Sequence, residues 1–259
     1  KIKNNTIKYT KSCDLIVIVF DGKSDLSFED SDIIALARKF NKPLLLVINK
    51  TEGNYSQSVL DELYKYFDEL WLSSNFTIRA FSQFQKTKLI MPLCVDQEGF
   101  QLRQENNKER KQNRKKFNLD LNSIYICYSF DQNSYIDRKN PLDAFRAFQI
   151  AFPPYPANLM DKNVKLIIKT FPNKNISWEW QYLKEMTKFD ERVEIVEKNM
   201  SRIELMQLYG CCDIFLSLHR AEGYGRCLAE ALQLGLDLIA TDWSGNKDFC
   251  KGPLYYPVP

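Results

Sequence analysis

The sequence predicts an α/β protein of two domains, each built on a parallel sheet with helical crossovers. Three observations predict it. Runs rich in Val and Ile recur along the chain, unbroken at Leu15 to Phe20 and Leu44 to Ile48 and with a few polar residues at Ser123 to Phe130 and Val164 to Thr170. Strands covered on both faces read this way, without polar alternation. Segments with helical spacing fall between the runs. The alternation is broken once, by the polar and highly charged stretch Gln97 to Asp120, and the domain boundary is placed there, at 118/119.

In the first half, Leu15 to Phe20 is a strand ended by Asp21-Gly22. Glu29 to Phe40 is a helix through Ile33, Ile34, Leu36, Ala37 and Phe40, and Leu44 to Ile48 is a strand started by Pro43. Leu60 to Phe67 is an amphipathic helix, and Asp68 to Leu72 and Leu89 to Met91 are short strands. After the charged stretch the pattern restarts. Ser123 to Phe130 is a strand, and Pro141 to Phe152 is a helix with Pro at its start. Val164 to Thr170 is a strand, Trp178 to Phe189 a helix and Val193 to Val196 a strand. Ser201 to Tyr209 is a helix with Ser201 as N-cap and Glu204 at the capping-box position. Ile214 to Leu218 is a strand, Cys227 to Leu234 a helix with Gly235 as its C-terminal cap, and Leu238 to Thr241 a strand.

Bulk properties exclude several classes. Net charge is +3, with 44% hydrophobic and 27% charged residues, which gives no general pull toward nucleic acid or membrane. The basic run Lys108 to Lys116 reads as a solvated helix face or linker. The spacing of the seven cysteines fits neither zinc pairs nor a disulfide scaffold, so reduced thiols and a cytoplasmic location are expected. One histidine, His219, leaves little for a histidine-based metal site or a Ser-His-Asp triad, and it reads more readily as a packed neighbour than as a catalyst. No run approaches the ~18 apolar residues of a membrane span, and no signal peptide is visible. The chain lacks an initiator Met and reads as a fragment.

The most informative stretch is Ser217 to Ala231. Glu222 and Glu230 stand eight positions apart, with Gly223 and Gly225 just after the first. An apolar run leads in and a helix-forming run leads out. This is strand, tight loop, helix, with a carboxylate and backbone N–H groups at the positive end of a helix dipole. Such a loop suits a ligand carrying phosphate at one end and hydroxyls at both, as in a nucleotide-sugar.

These residues resemble the donor-binding domain of GT-B glycosyltransferases, specifically the large retaining family 4, whose pattern is a glutamate, seven residues and a second glutamate. The resemblance runs over about residues 68 to 259. It includes Leu205 to Asp213 before the motif, Leu234 to Thr241 after it (with Asp237 where the family has proline), Ser244 to Phe249 as the next turn, and Arg138-Lys139-Asn140-Pro141 entering the first helix. It implies a GT-B-like fold of two Rossmann-like domains, the first incomplete, and hexosyl transfer from a UDP- or GDP-sugar with retention, without metal or other cofactor. It implies that Glu222 bonds the donor sugar and Glu230 the ribose, and that the N–H groups of Gly223, Tyr224 and Gly225 face sugar and phosphate. Ser244, Gly245 and Asn246 would line the donor. A basic pair would stabilise the leaving diphosphate. Lys139 and Lys169 are the candidates, with a surface lysine and a strand-end lysine as the plain alternatives, and Arg138 is a third that reads more readily as solvated. The acceptor, whether glycan, lipid or protein, is left open; nucleic acid is not expected.

Residues 1 to 66 carry a different resemblance. Cys13 to Gly22, Leu26 to Asp30 and Asn41 to Gly53 resemble the middle of a Der (EngA) type ribosome-assembly GTPase, with Asn49-Lys50-Thr51-Glu52 at the guanine-reading motif. Asn49, Lys50 and Glu52 would then bind nucleotide. The phosphate loop is not present: Gly22-Lys23-Ser24 gives its last letters, but Val17 stands where a glycine is needed. The two resemblances meet near residues 60 to 70, which reads as a fusion of two α/β parents. Residues 67 to 118 would be an acceptor-domain remnant and linker. Without a histidine before His219, impaired turnover is expected. Two rival functions follow: a nucleotide-sugar-binding protein without turnover, and a GTPase fragment.

Overall fold

The structure, a computed structural model, describes residues 9–21, 28–49, 65–95, 107–153, 163–174 and 176–259. It divides into two compact units, Lys1–Leu93 and Cys94–Pro259. The first carries four parallel strands in the order β1-β2-β3-β4: β1 (Ile16–Asp21), β2 (Leu44–Asn49), β3 (Glu69–Leu72) and β4 (Thr87–Ile90). Helix α1 (Phe28–Lys39) joins β1 to β2. Its Ile34 and Ala37 are buried with Leu44, Phe67, Leu70, Leu72, Phe81 and Phe84. Helix α2 (Asn75–Ala80) precedes β4. The sequence reading missed it because its capping box uses Thr rather than Glu or Gln. Ser74 Oγ accepts from Thr77 N at 3.2 Å, and Thr77 Oγ1 accepts from Ser74 N at 3.1 Å. Most of the expected helix Leu60 to Phe67, and all of Gly22-Lys23-Ser24, lie outside the described residues.

The second unit begins earlier than the charged stretch suggested. Helix α3 (Asn107–Lys116) belongs to it, placing the division at 93/94 rather than 118/119. Its basic residues are not all solvated. Arg114 is 5% exposed and donates to the carbonyls of Cys211 (3.0 Å) and Ser123 (2.9 Å) while pairing with Asp213 at 3.0 Å. Arg110 pairs with the same carboxylate, whose other oxygen accepts from Tyr125 N at 2.9 Å. Six parallel strands follow: β5 (Ile124–Ser129), β6 (Val164–Thr170), β7 (Val193–Glu197), β8 (Ile214–Ser217), β9 (Asp237–Thr241) and β10 (Tyr255–Val258), ordered β10-β9-β8-β5-β6-β7. The helices are α4 (Ile136–Lys139), α5 (Pro141–Ala151), α6 (Trp178–Thr187), α7 (Arg202–Cys211) and α8 (Arg226–Gln233).

The runs of β5, β6 and β8 are largely apolar because each face of this sheet has its own core. Tyr125, Cys127, Ile167, Phe215, Leu238 and Ala240 join one cluster. Their immediate neighbours Ile126, Tyr128, Leu166, Ile168 and Leu216 join the other, with Phe145, Phe148, Trp180 and Leu183 of α5 and α6. Period-two alternation sends successive side chains to opposite sides. Among the described residues, no helix is long and apolar enough to cross a membrane.

Candidate functional site

Strand order fixes where a site can form. β5 lies between β8 and β6, so the chain leaves its first strand of this sheet in opposite directions. Open parallel sheets bind ligands beyond the carboxyl ends of strands at such a switch point. The loops that follow β5 and β8 meet there and carry Arg138, Lys139 and Glu222 to Gly225, while Ser244 to Asn246 follow β9, Glu230 lies in α8 and Lys169 in β6.

The two loops are laced together. Arg220 N donates to Arg138 O at 2.8 Å, Arg138 Nη1 to Ala221 O at 2.6 Å, and Asn140 Nδ2 to Leu218 O at 3.0 Å. Asn140 sits in the left-handed region (φ 57°), where Asn is tolerated, and turns the chain from α4 into α5. Lys139 and Arg138 are thereby aimed at Glu222. Lys139 Nζ lies 2.6 Å from Oε1 and Arg138 Nη1 lies 3.2 Å from Oε2. All three side chains are largely buried, at 17%, 10% and 11% exposure. Burial alone would push the Glu222 carboxyl up; Lys139 and Arg138 together hold it below its ordinary value. Arg138, which read as a solvated side chain, is thus part of the cluster, because the short helix α4 turns it inward.

The turn after β9 fixes the Glu222 backbone. Glu222 N donates to Ser244 Oγ at 2.7 Å, and Gly245 N donates to Glu222 O at 2.8 Å. A Cβ on Gly245 would overlap the Gly223 carbonyl and lie 2.8 Å from that of Glu222, so only glycine lets the two loops approach. Ser244 takes a positive φ of 80°, a strained conformation for a residue with a side chain. Asn246 is fully buried. Its Nδ2 donates to Thr241 O at 2.9 Å, and its Oδ1 lies 3.1 Å from His219 Nε2. His219 is 1% exposed, with Nδ1 3.0 Å from Ser217 Oγ. It bridges the β8 and β9 ends as a packed neighbour.

Gly225, at φ 95°, caps the N-terminus of α8 and turns the chain into it. Tyr224 stacks on Phe249 (4.8 Å between centroids) and lines an apolar hollow of about 440 Å³ with Val95, Leu232 and Leu254. Glu230 is 2% exposed and is held by Arg202 at 2.7 Å and Arg226 at 2.8 Å. Burial outweighs both guanidiniums and pushes its carboxyl above the ordinary value. The sequence reading missed those arginines. The Arg226–Glu230 spacing of four was a legible helix pair; Arg202 came within reach only through the fold. Lys169 makes no ion pair with Glu222 among the described residues. It is 1% exposed, and its Nζ donates to the carbonyls of Thr170 (2.8 Å) and Lys198 (2.9 Å) over the Phe171 ring. Burial lowers its ammonium below the usual range.

Asn49 ends β2, while Lys50 and Glu52 lie outside the described residues. Among the described residues, no three His, Cys, Asp or Glu side chains gather as a metal site. Burial pushes the thiols of Cys211 and Cys250 up to about 12 and that of Cys227 to about 11. They stay protonated at neutral pH, which makes them poor nucleophiles and ligands.

The two parallel sheets match the GT-B fold of solved glycosyltransferase structures. No family model matches the chain. Anabaena Alr3699/HepE, solved in complex with UDP and glucose, matches with a TM-score of 0.69 at 16% identity, covering 98% of this chain and 66% of that one. An α,α-trehalose-phosphate synthase (UDP-forming) from Burkholderia xenovorans matches with a TM-score of 0.66 at 14% identity, covering 98% and 67%. Trehalose-6-phosphate from E. coli bound with UDP-2-fluoro glucose matches with a TM-score of 0.66 at 11% identity, covering 98% of this chain and 67% of that one. The fold match spans nearly the whole chain, including the four-stranded sheet where a GTPase-like segment was expected. Curated relatives are a different set. GTPase Der of Natranaerobius thermophilus is 37% identical over 57 residues, 22% of this chain and 13% of that protein. GTPase Der of Xanthomonas campestris pv. campestris (strain B100) is 42% identical over 53 residues, 20% of this chain. The chain spans about an eighth of the length of the first of these and two thirds of the first solved structure.

Proposed function

We propose that this chain binds a nucleotide-diphosphate sugar at the β5–β8 switch point and transfers its hexose with retention, in the manner of family 4 and without a metal. The observation that carries the reading is the Arg138–Lys139–Glu222 cluster: two cations against one carboxylate, largely buried, at the loop that opens α8. The excess positive charge and the helix dipole suit a diphosphate. As the sugar–phosphate bond breaks, negative charge grows on the leaving nucleoside diphosphate. Fixed cations in a water-poor site stabilise that charge without reorganising. Glu222, freed from Lys139 and Arg138 as they turn to phosphate, accepts hydrogen bonds from the sugar hydroxyls. The N–H groups of residues 223 to 225 face the donor, Ser244, Gly245 and Asn246 shape its wall, and Glu230 takes the ribose. Lys169 supports this site as a buried cation rather than through contact with Glu222.

Calorimetric titration of UDP, UDP-glucose, a GDP-sugar and GTP tests the reading. A UDP- or GDP-sugar is expected to bind, with binding lost in Lys139→Ala and retained in Asn49→Ala. The GTPase reading rests on short partial likenesses and on Asn49-Lys50-Thr51-Glu52. Preferential GTP binding that Asn49→Ala abolishes would establish it instead. Binding of UDP-sugar without hydrolysis or transfer would leave a nucleotide-sugar-binding protein.

A further inference from the structure

A second hollow lies beside the Glu222 cluster and contains none of its side chains. It has a volume of about 170 Å³ and lies between the starts of α5 and α6 and the loop after β8. Trp178 stands on its rim, 70% exposed, as the first residue of α6. Ser177 caps that helix by accepting from Trp180 N at 3.2 Å, so the indole is carried on a fixed turn. Three carboxylates (Asp137, Asp143, Glu179) and two guanidiniums (Arg146, Arg220) share the lining with the Asn140 amide and the apolar Ile136, Pro141 and Leu142. Asp143 is bracketed, 3.1 Å from Arg146 and 4.0 Å from Arg220.

The chemistry selects the ligand. One exposed aromatic side chain means little by itself. Here its flat apolar face borders a ring of acceptors and donors. A pyranose has that duality: one face of C–H bonds packs on an indole, while its hydroxyls donate to carboxylates and accept from guanidiniums. At about 170 Å³ the hollow is smaller than the roughly 300–1,000 Å³ pockets that take drug-sized ligands, a size for a single ring. Three carboxylates against two guanidiniums disfavour a phosphate or other anion, and the two guanidiniums disfavour a cation over the indole. A neutral polyol satisfies both sets.

We propose that this hollow is a second sugar-binding subsite, which holds one pyranose ring of a glycan against Trp178 with Asp143, Arg146 and Arg220 engaging its hydroxyls. It stands apart from the donor reading, since none of its charged side chains touches Glu222. If transfer occurs, the bound ring belongs to a glycan acceptor or product.

The test titrates the full chain with methyl glycosides of glucose, galactose and mannose. Tryptophan fluorescence and the indole N–H signal of Trp178 report binding, and calorimetry with UDP is run in parallel. At least one glycoside is expected to saturate the protein and shift that signal. Trp178→Ala, at an exposed position, should weaken the sugar by about tenfold or more while leaving UDP affinity unchanged. Asp143→Asn should weaken it with Trp178 intact, and Glu222→Gln should leave sugar affinity unchanged. The proposal is overturned if no glycoside saturates the chain up to its solubility, or if Trp178→Ala leaves sugar affinity unchanged. It is equally overturned if Glu222→Gln removes the sugar, which places it in the donor cluster. Failure of the donor reading shows separately, as absent UDP binding in the unsubstituted chain.

Discussion

Glu222→Gln separates the two jobs that the proposed donor site gives to one carboxylate. Gln keeps the shape and an acceptor oxygen but removes the charge. Lys139 at 2.6 Å and Arg138 at 3.2 Å then face a neutral amide while nine-tenths or nearly so buried. Removing one partner of a buried ion pair costs about 3–5 kcal/mol. The amide retains part of the hydrogen bonding, so a loss near the lower figure, about 3 kcal/mol, is expected in the free protein. That is a large share of a typical domain's 5–15 kcal/mol, roughly. UDP returns negative charge to the two cations, so its affinity should be unchanged or higher. The sugar loses its charged acceptor. The extra affinity of UDP-glucose over UDP should therefore fall by about 1.5–3 kcal/mol, roughly 10- to 150-fold. Calorimetry with both ligands and urea unfolding with and without UDP measure these quantities. Equal losses for UDP and UDP-glucose, or no loss for either, would refute the assignment. The pH dependence gives a further check. The folded carboxyl is held below its unfolded value, near 4.3. Its stabilisation is complete above that value and is lost as pH falls through the folded pKa. The stability gap between wild type and Glu222→Gln should be full at pH 7 and should close below about pH 4.

Glu230→Gln should shift stability by less than about 1 kcal/mol in urea unfolding. Burial already disfavours its charge, and its partners reach solvent, with 54% exposure for Arg226 and 30% for Arg202. Its affinity for UDP-sugar should nevertheless fall. Gly245→Ala should destabilise the second unit by about 1–3 kcal/mol or more in thermal unfolding, because the new methyl meets backbone rather than a movable side chain. Arg114→Ala should cost about 3 kcal/mol or more in the same assay, since it strips a buried cation from Asp213 and from the carbonyls of Cys211 and Ser123; a change under about 1 kcal/mol would mean the helix is the solvated linker its composition suggested.

The strands of the second unit were legible because their apolar runs are long and both faces are covered. α7 was legible because Ser201 and Glu204 form the expected capping box, with Ser201 N donating to Glu204 Oε2 at 2.9 Å. The Glu222–Gly–Gly–Glu230 loop was legible from spacing and composition. What the sequence could not reveal were partners distant along the chain. Arg138 and Lys139 stand more than eighty positions before Glu222, Arg114 about a hundred before Asp213, and Arg202 twenty-eight before Glu230. A basic run looks the same whether it faces water or a buried carboxylate.

The sequence by itself determined the alternation of strand and helix, the caps, and the tight glycine loop between β8 and α8, because periodicity and turn chemistry act over a few neighbouring residues. Only the tertiary structure decided that Arg138 turns inward, that Lys169 is held by two carbonyls, and that Trp178 stands beside a charged hollow. The order in which parallel strands pair, β5 between β8 and β6, brings loops together whatever their distance along the chain. The cost of burying charge then dictates which side chains must meet.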